Sequence, residues 1–251
     1  MATHATVHAT PTEIGLLSVD EQRAHMLPIY RRLSPVLNGS RSDEFDVETV
    51  LLPVTPFAAL LAADVAAMGA NAVVVSSASS RSAAALGRLL TRSGVGVIGL
   101  TNPHHRSAAE SFGVYDRVFD YDEVDRLFPS GGTVYVDVAG SADITQAVHL
   151  RFGHHLTASI TVGGTHARSR PSTSGPALSI FNTGDREQDF VRDHGWQAMR
   201  NRYDDARADL IPWASRWLRV HTGEGLAAAS PVWRDIVAGR ADPRSATVIR
   251  P

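Results

Sequence analysis

Apolar positions along the chain change period several times, and each change marks an element boundary. Residues 1 to about 18 are small and polar and predict a loose arm. DEQRAHMLPIYRRLSPVLNG, residues 20–39, predicts a short helix interrupted by Pro28 and Pro35. Thr55 to Gly69 crowds apolar residues into a helix closed by glycine. A regular alternation follows. Strands are predicted over Ala72–Ser76, Val95–Leu100, Arg117–Phe119, Thr133–Val138 and His155–Val162. Between them lie helices from about Ser80 to Arg92, from Pro103 to Phe112 and from near Ser141 to near Gly153, with a helical turn in DEVDRLF. The main strands are apolar on both faces, so they belong to a parallel sheet covered by helices on both sides.

Beyond Val162 the pattern lapses into GGTHARSRPSTSGP, a loop composition. ALSIF predicts a further strand and 185–207 a long polar helix. WLRVHTG, AAASPVWRDIVAG and SATVIR then predict a strand, a helix and an edge strand. Trp196, Trp213, Trp217 and Trp233 are expected to pack these C-terminal helices on the sheet. The predicted fold class is α/β, a Rossmann-like three-layer sandwich with a mainly parallel, doubly wound sheet. Residues 1–54 are expected to form an arm with a short helical extension, and 55–251 a nucleotide-binding domain.

Composition narrows the chemistry. The 251 residues carry a formal charge of −2 and no cysteine, and all 24 basic residues are arginine. A thiolate nucleophile, a disulfide, a Cys-based zinc site, a Schiff-base lysine and a Walker A lysine are therefore excluded. The charge balance speaks against nucleic acid and acidic membrane. No apolar run reaches the ~18 residues of a membrane span. The first twenty residues do not resemble a signal peptide, and a cytoplasmic protein is expected.

The turn after the first apolar strand, SSASSR, stands where a dinucleotide-binding loop carries glycines. A helix N-terminus there offers N–H groups and partial positive charge to a diphosphate. Ser76, Ser77, Ser79, Ser80 and Arg81 are candidate phosphate ligands, and a serine-rich helix cap without ligand is the competing reading. The second strand ends in GLTNPHHR, with no carboxylate for a ribose diol. Thr101, Asn102 and Arg106 suit a 2′-phosphate better, which favours NADP(H). His166, at the end of the fifth strand, is a candidate proton donor. Adjacent His154 and His155 would point to opposite faces of a strand and share no metal. No metal site is expected.

VVVSSASSRSAAALGRLL, GVIGLTNPHHRSAAESFGVYDRVFDYDEV and VYVDVAGSADI together resemble the cofactor domain of medium-chain dehydrogenases/reductases. More narrowly, the serine turn, the GLT, the Tyr115-Asp116 pair, VDVAG and the VGGTH ending at His166 are similar to the DUF2855 family, itself similar to quinone oxidoreductases. The resemblance spans roughly residues 20–251. It implies a cofactor contact at Ala139 and Gly140. The N-terminal GroES-like catalytic domain of medium-chain reductases has no counterpart in the short arm before Asp20, and Arg81 stands where the family motif has lysine. The implied function is an NADP(H)-dependent reductase of a small enone, ketone or quinone-like substrate, expected as a homodimer. The alternative is a shortened reductase fold reused as a cyclase, isomerase or dehydratase in specialised metabolism, or as the non-catalytic partner of an enzyme that supplies the absent domain.

Overall fold

A computed structural model describes residues 7–13, 15–33, 43–162 and 176–250. The chain divides into two compact units. One is contiguous, Pro53–Asn182; the other joins Met1–Leu52 to Thr183–Pro251. The sequence reading extended the nucleotide-binding domain to residue 251. The sheet-bearing unit ends instead at Asn182, because the helix that follows packs on the N-terminal helices.

The N-terminal part begins with β1 (Ala9–Thr12), β2 (Gly15–Ser18), α1 (Pro28–Arg31), β3 (Arg32–Leu33) and α2 (Asp43–Leu51). The expected loose arm is thus an antiparallel hairpin with β3 on its other side. Its strands are too short and too polar to carry an alternating signal. Pro28 begins α1 rather than interrupting it, since proline's missing N–H costs nothing in the first turn.

The contiguous unit runs α3 (Thr55–Ala67), β4 (Ala72–Val75), α4 (Arg81–Arg92), β5 (Gly96–Thr101), α5 (Arg106–Ser111), β6 (Arg117–Asp120), β7 (Thr133–Asp137), α6 (Ala142–Phe152), β8 (Leu156–Val162) and β9 (Leu178–Phe181). Short 3-10 turns lie at Pro103–His105, Tyr121–Arg126 and Gly153–His155. The strands pair in parallel in the order β6-β5-β4-β7-β8-β9. This is the Rossmann-like three-layer arrangement that the alternation predicted.

Burial follows the pleat. Val74, Leu100 and Tyr135 pack with Val148 and Phe152 of α6 on one face. On the other face Tyr115 packs with Ala78, Ala109 and Val118. Every residue of β7 is buried, as expected of a central strand covered on both sides.

The terminal unit is completed by α7 (Thr183–Ala214), β10 (Arg219–Glu224), α8 (Gly225–Val237) and β11 (Ser245–Arg250). β10 and β11 pair in parallel. Helix α7 is two helices joined at Gly195, whose φ of +80° and ψ of 161° break the helical path. Side chains with L chirality resist that conformation, and glycine does not. Of the tryptophans, Trp213 is buried against Trp217, and Trp196 meets Tyr203 edge-on. Trp233, expected to be packed, is 67% exposed. No single described helix is long and apolar enough to cross a membrane.

Candidate functional site

In an open parallel sheet the ligand crevice lies beyond the strand C-termini, where the strand order reverses. Here that point lies between β4 and β7, with the β4–α4 turn on one side and the loop after β7 on the other. Ser76 joins the two. It is wholly buried. Its Oγ donates to Asp137 Oδ1 at 2.8 Å and accepts from the amides of Val138 and Ala139, each at 2.9 Å. A hydroxyl has one proton and two lone pairs, and all three are used. Ser76, read from the sequence as a phosphate ligand, has no proton left for one and holds the crevice walls together instead. Ala139 likewise spends its amide on Ser76.

Asp137 is also wholly buried. Besides Ser76 it accepts from the Gly140 amide at 3.0 Å and from Thr145 Oγ1 at 3.3 Å. Gly140 adopts a φ of +67° to make this turn. Thr145 Oγ1 lies 3.4 Å from the Tyr135 hydroxyl. Burial, and secondarily the Asp137 charge, pushes that phenol's pKa above its ordinary value.

Ser77 occupies the left-handed region at φ +55°, uncommon for a residue with a Cβ. Its amide donates to the Tyr121 hydroxyl at 3.0 Å. Ser79 Oγ accepts from Thr101 Oγ1 at 3.1 Å, which ties the turn to the end of β5. Ser80 caps α4, its Oγ accepting from Ala83 N. Amides of Ser76, Ala78 and Ser80 bond to carbonyls of Val136, Leu100 and Ser77. Among the described residues nothing accepts from the amides of Ser79 and Ser82. These two N–H groups flank Arg81 at the positive end of a twelve-residue helix. Arg81 is half-buried, and desolvation lowers its pKa from the usual arginine value.

Close packing, the usual task of the loop glycines, has moved to neighbouring elements. A Cβ on Gly99 of β5 would stand 2.7 Å from the Ala78 Cβ. One on Gly87 of α4 would stand 3.2 Å from the Tyr115 ring. The Tyr115 hydroxyl donates to Ala78 O at 2.7 Å. The turn carries serine and alanine because the partners facing it carry glycine.

The far end of the crevice differs from the sequence reading. Asn102 is exposed and caps the following turn, accepting from His104 N at 2.9 Å. Arg106 is ion-paired to Glu123 at 2.8 Å, Glu110 at 3.2 Å and Asp120 at 3.5 Å. The Glu110 bond, with Glu123 and Asp120 behind it, raises the Arg106 pKa. The β5 end lacks a carboxylate, but β6 sets Asp120 beside Thr101 in register. Sequence reasoning missed Asp120, Tyr121 and Glu123. Their signal was the D-x-x-E spacing of a capping box, which Asp120 and Glu123 form.

His166 lies outside the described residues. His154 and His155 occupy a 3-10 turn, with rings 4.1 Å apart and tilted by 34°, rather than opposite faces of a strand. Among the described residues no group of three or more His, Asp or Glu is placed to hold a metal ion.

A family model described as "Protein of unknown function (DUF2855)" matches residues 1–242. The chain belongs to the DUF2855 family. No curated protein matches it significantly. Among solved structures, this DUF2855 chain is similar to the yhdH oxidoreductase from Salmonella enterica in complex with NADP, at 14% identity and TM-score 0.55, over 86% of this chain and 66% of that one. It is similar to CurA from Vibrio vulnificus in complex with NADPH, at 17% identity and TM-score 0.57, over 84% and 66%. Bacillus subtilis yhfP with NAD bound matches at 14% identity and TM-score 0.55, over 88% and 67%. The DUF2855 chain spans less than two thirds of the Salmonella and Vibrio chains. At these identities the likeness establishes the fold.

Proposed function

We propose that this chain binds a nicotinamide cofactor at the β4–α4 turn and acts as an NADP(H)-dependent reductase on a small enone, ketone or quinone-like molecule. One observation carries the reading: the amides of Ser79 and Ser82, for which no acceptor stands among the described residues, lie on either side of the Ser80 cap and half-buried Arg81 at the N-terminus of α4. That donor set matches a diphosphate in charge and hydrogen bonding. Ser76 and Asp137 fix the facing loop, so Gly140 presents a rigid second wall. Tyr121 and Thr101 hold the turn through Ser77 and Ser79, and exposed Asn102 would stand nearest a 2′-phosphate. The cofactor, when bound, supplies a hydride to the substrate. His166 is assigned the proton that completes the reduction. The fold of proteins crystallised with NADP, NADPH and NAD supports this reading.

Arg106 enters on a condition. Its guanidinium serves a 2′-phosphate only by exchanging carboxylate partners. Calorimetric titration with NADPH and with NADH tests the whole proposal. Saturable binding is expected, weakened about tenfold or more by Arg81→Ala. No heat of binding up to about 1 mM of either cofactor would overturn it. It would favour the non-redox reading, to which the neutralised Arg106 already lends support.

A further inference from the structure

Helix α8 is mostly apolar, yet none of its thirteen residues is buried. A helix this short is marginal in water by itself and lasts by packing an apolar face. Pro231, inside it, removes one backbone bond more. One side of α8 is already used: a Cβ on Gly223 of β10 would stand 2.8 Å from the Ala228 Cβ. Leu226, Trp233, Ile236 and Val237 lie on another side, at the spacing of one helical stripe. All four are exposed, Trp233 by 67% and Val237 by 70%. A groove of about 440 Å³ follows this stripe, and its walls include Leu226, Ala229, Ser230, Trp233, Ile236 and, from β11, Ile249.

Three properties of this face fit a second copy of itself. The first is shape. Trp233 projects beside the small residues Ala229 and Ser230, so one face carries both a knob and a hollow. A twofold axis near Ala229 and Ser230 sets each Trp233 against the Leu226 end of the other α8. Small residues then stand at the crossing point, where they let two helices approach closely. The second is charge. Exposed Glu224 stands at the N-terminal end of α8 and Arg234 near its C-terminal end. Arg234 reaches the Ser230 carbonyl at 3.5 Å, and among the described residues neither side chain has an ionic partner. Antiparallel pairing brings the Glu224 end of each helix to the Arg234 end of the other and opposes the helix dipoles. The third is area. The four exposed side chains present roughly 450 Å² on ordinary side-chain areas. A standard interface covers about 800 Å² on each partner, a little over half of it apolar, and the stripe supplies that share.

We infer that two copies of this chain pair through α8 in an antiparallel, twofold contact, with Trp233 of each copy seated in the groove of the other. The contact lies within the terminal unit and does not rest on the cofactor reading.

Sedimentation velocity of the full chain from about 1 to 100 μM tests this. Monomers are expected to pass into dimers over that range, and Trp233→Glu to raise the dimer Kd about tenfold or more. The chain has no cysteine, so Ser230→Cys supplies a single thiol close to the proposed axis. Mild oxidation should convert that variant rapidly into a disulfide-linked dimer. Asp125→Cys, exposed on the other unit, should link only by slow collision. Glu224→Arg and Arg234→Glu should each weaken pairing and together restore it, a rescue that a role in folding alone would not produce. Circular dichroism checks each variant; if Trp233→Glu is unfolded, Val237→Glu probes the same stripe. A chain that stays monomeric over the whole range would give this face to a different partner and overturn the inference. A dimer whose Kd ignores these substitutions, or a Ser230→Cys variant that links no faster than Asp125→Cys, would place pairing on another surface and overturn it as well.

Discussion

Asp137 and Glu187 are both carboxylates sealed from solvent, one in each unit, and they are accommodated in opposite ways. Among the described residues Asp137 receives only dipoles: the hydroxyls of Ser76 and Thr145 and the amide of Gly140. Glu187 receives a cation and a phenol, from Arg32 and Tyr203. The dipolar solution fixes backbone geometry between two neighbouring strand ends, which is what a ligand wall needs. The ionic solution ties together segments 155 residues apart, which is what a unit made from two chain segments needs.

The largest expected effect tests the ionic side. Glu187→Ala leaves Arg32 buried with no counter-charge. It should cost about 3–5 kcal/mol, read from urea midpoints. A loss below about 1 kcal/mol would mean that Arg32 swings to solvent and the pair is not structural. Ser76→Ala tests the dipolar side. It strips one donor from Asp137 and the acceptor from two amides, for an expected cost of about 1–3 kcal/mol. Cofactor affinity should fall with it if the clamp positions the crevice; unchanged affinity would confine Ser76 to stability.

Alkaline pH addresses both carboxylates at once. Tyr135 near Asp137 and Tyr203 on Glu187 have pKa values raised, first by burial and then by the adjacent negative charge or hydrogen bond. A raised folded value means that the native state holds these protons more tightly than the unfolded chain. Stability from this source is therefore complete below about pH 10, the ordinary tyrosine value. It declines as pH rises from there toward the folded values. Absorbance at about 295 nm against pH should show these phenols ionising only with unfolding; free titration near pH 10 in the folded protein would contradict their burial. The smallest effect belongs to the crevice rim. Arg106 is over a third exposed, so Arg106→Ala should change stability by only about 0–1 kcal/mol. If NADPH affinity falls strongly while NADH affinity holds, Arg106 leaves its carboxylates for the 2′-phosphate.

The sheet was legible because AVVV, GVIGLT and TVYVD are apolar on both faces, as central parallel strands must be. The sequence reads Ser80 first as a phosphate ligand, with a helix cap as the competing reading; its Oγ caps α4, a role that follows from its place before the helix. Ser76 was not legible: its hydroxyl is consumed by Asp137, 61 residues away, a pairing that no local pattern encodes. The ion pairs of Arg106 were hidden in part for the same reason, since Asp120 ends the next strand and Glu123 lies in the turn after it. The hairpin of β1 and β2 escaped because ATPT and GLLS are only four residues each, contain proline and glycine, and carry no buried stripe. Trp233 misled because size alone suggested burial.

Arg250 of β11 holds Asp46 of α2 through both carboxylate oxygens, at 2.9 and 3.2 Å, across 204 residues of chain. On the ribosome Asp46 emerges early and Arg250 late. The contiguous Pro53–Asn182 unit can close as soon as its last strand is out, whereas α2 must wait through the synthesis of everything between. Its apolar residues Val47 and Leu51 are without their native cover during that interval. The terminal unit is thus the late-maturing half of the molecule, and the one most exposed to chaperones and proteases before synthesis has passed Arg250.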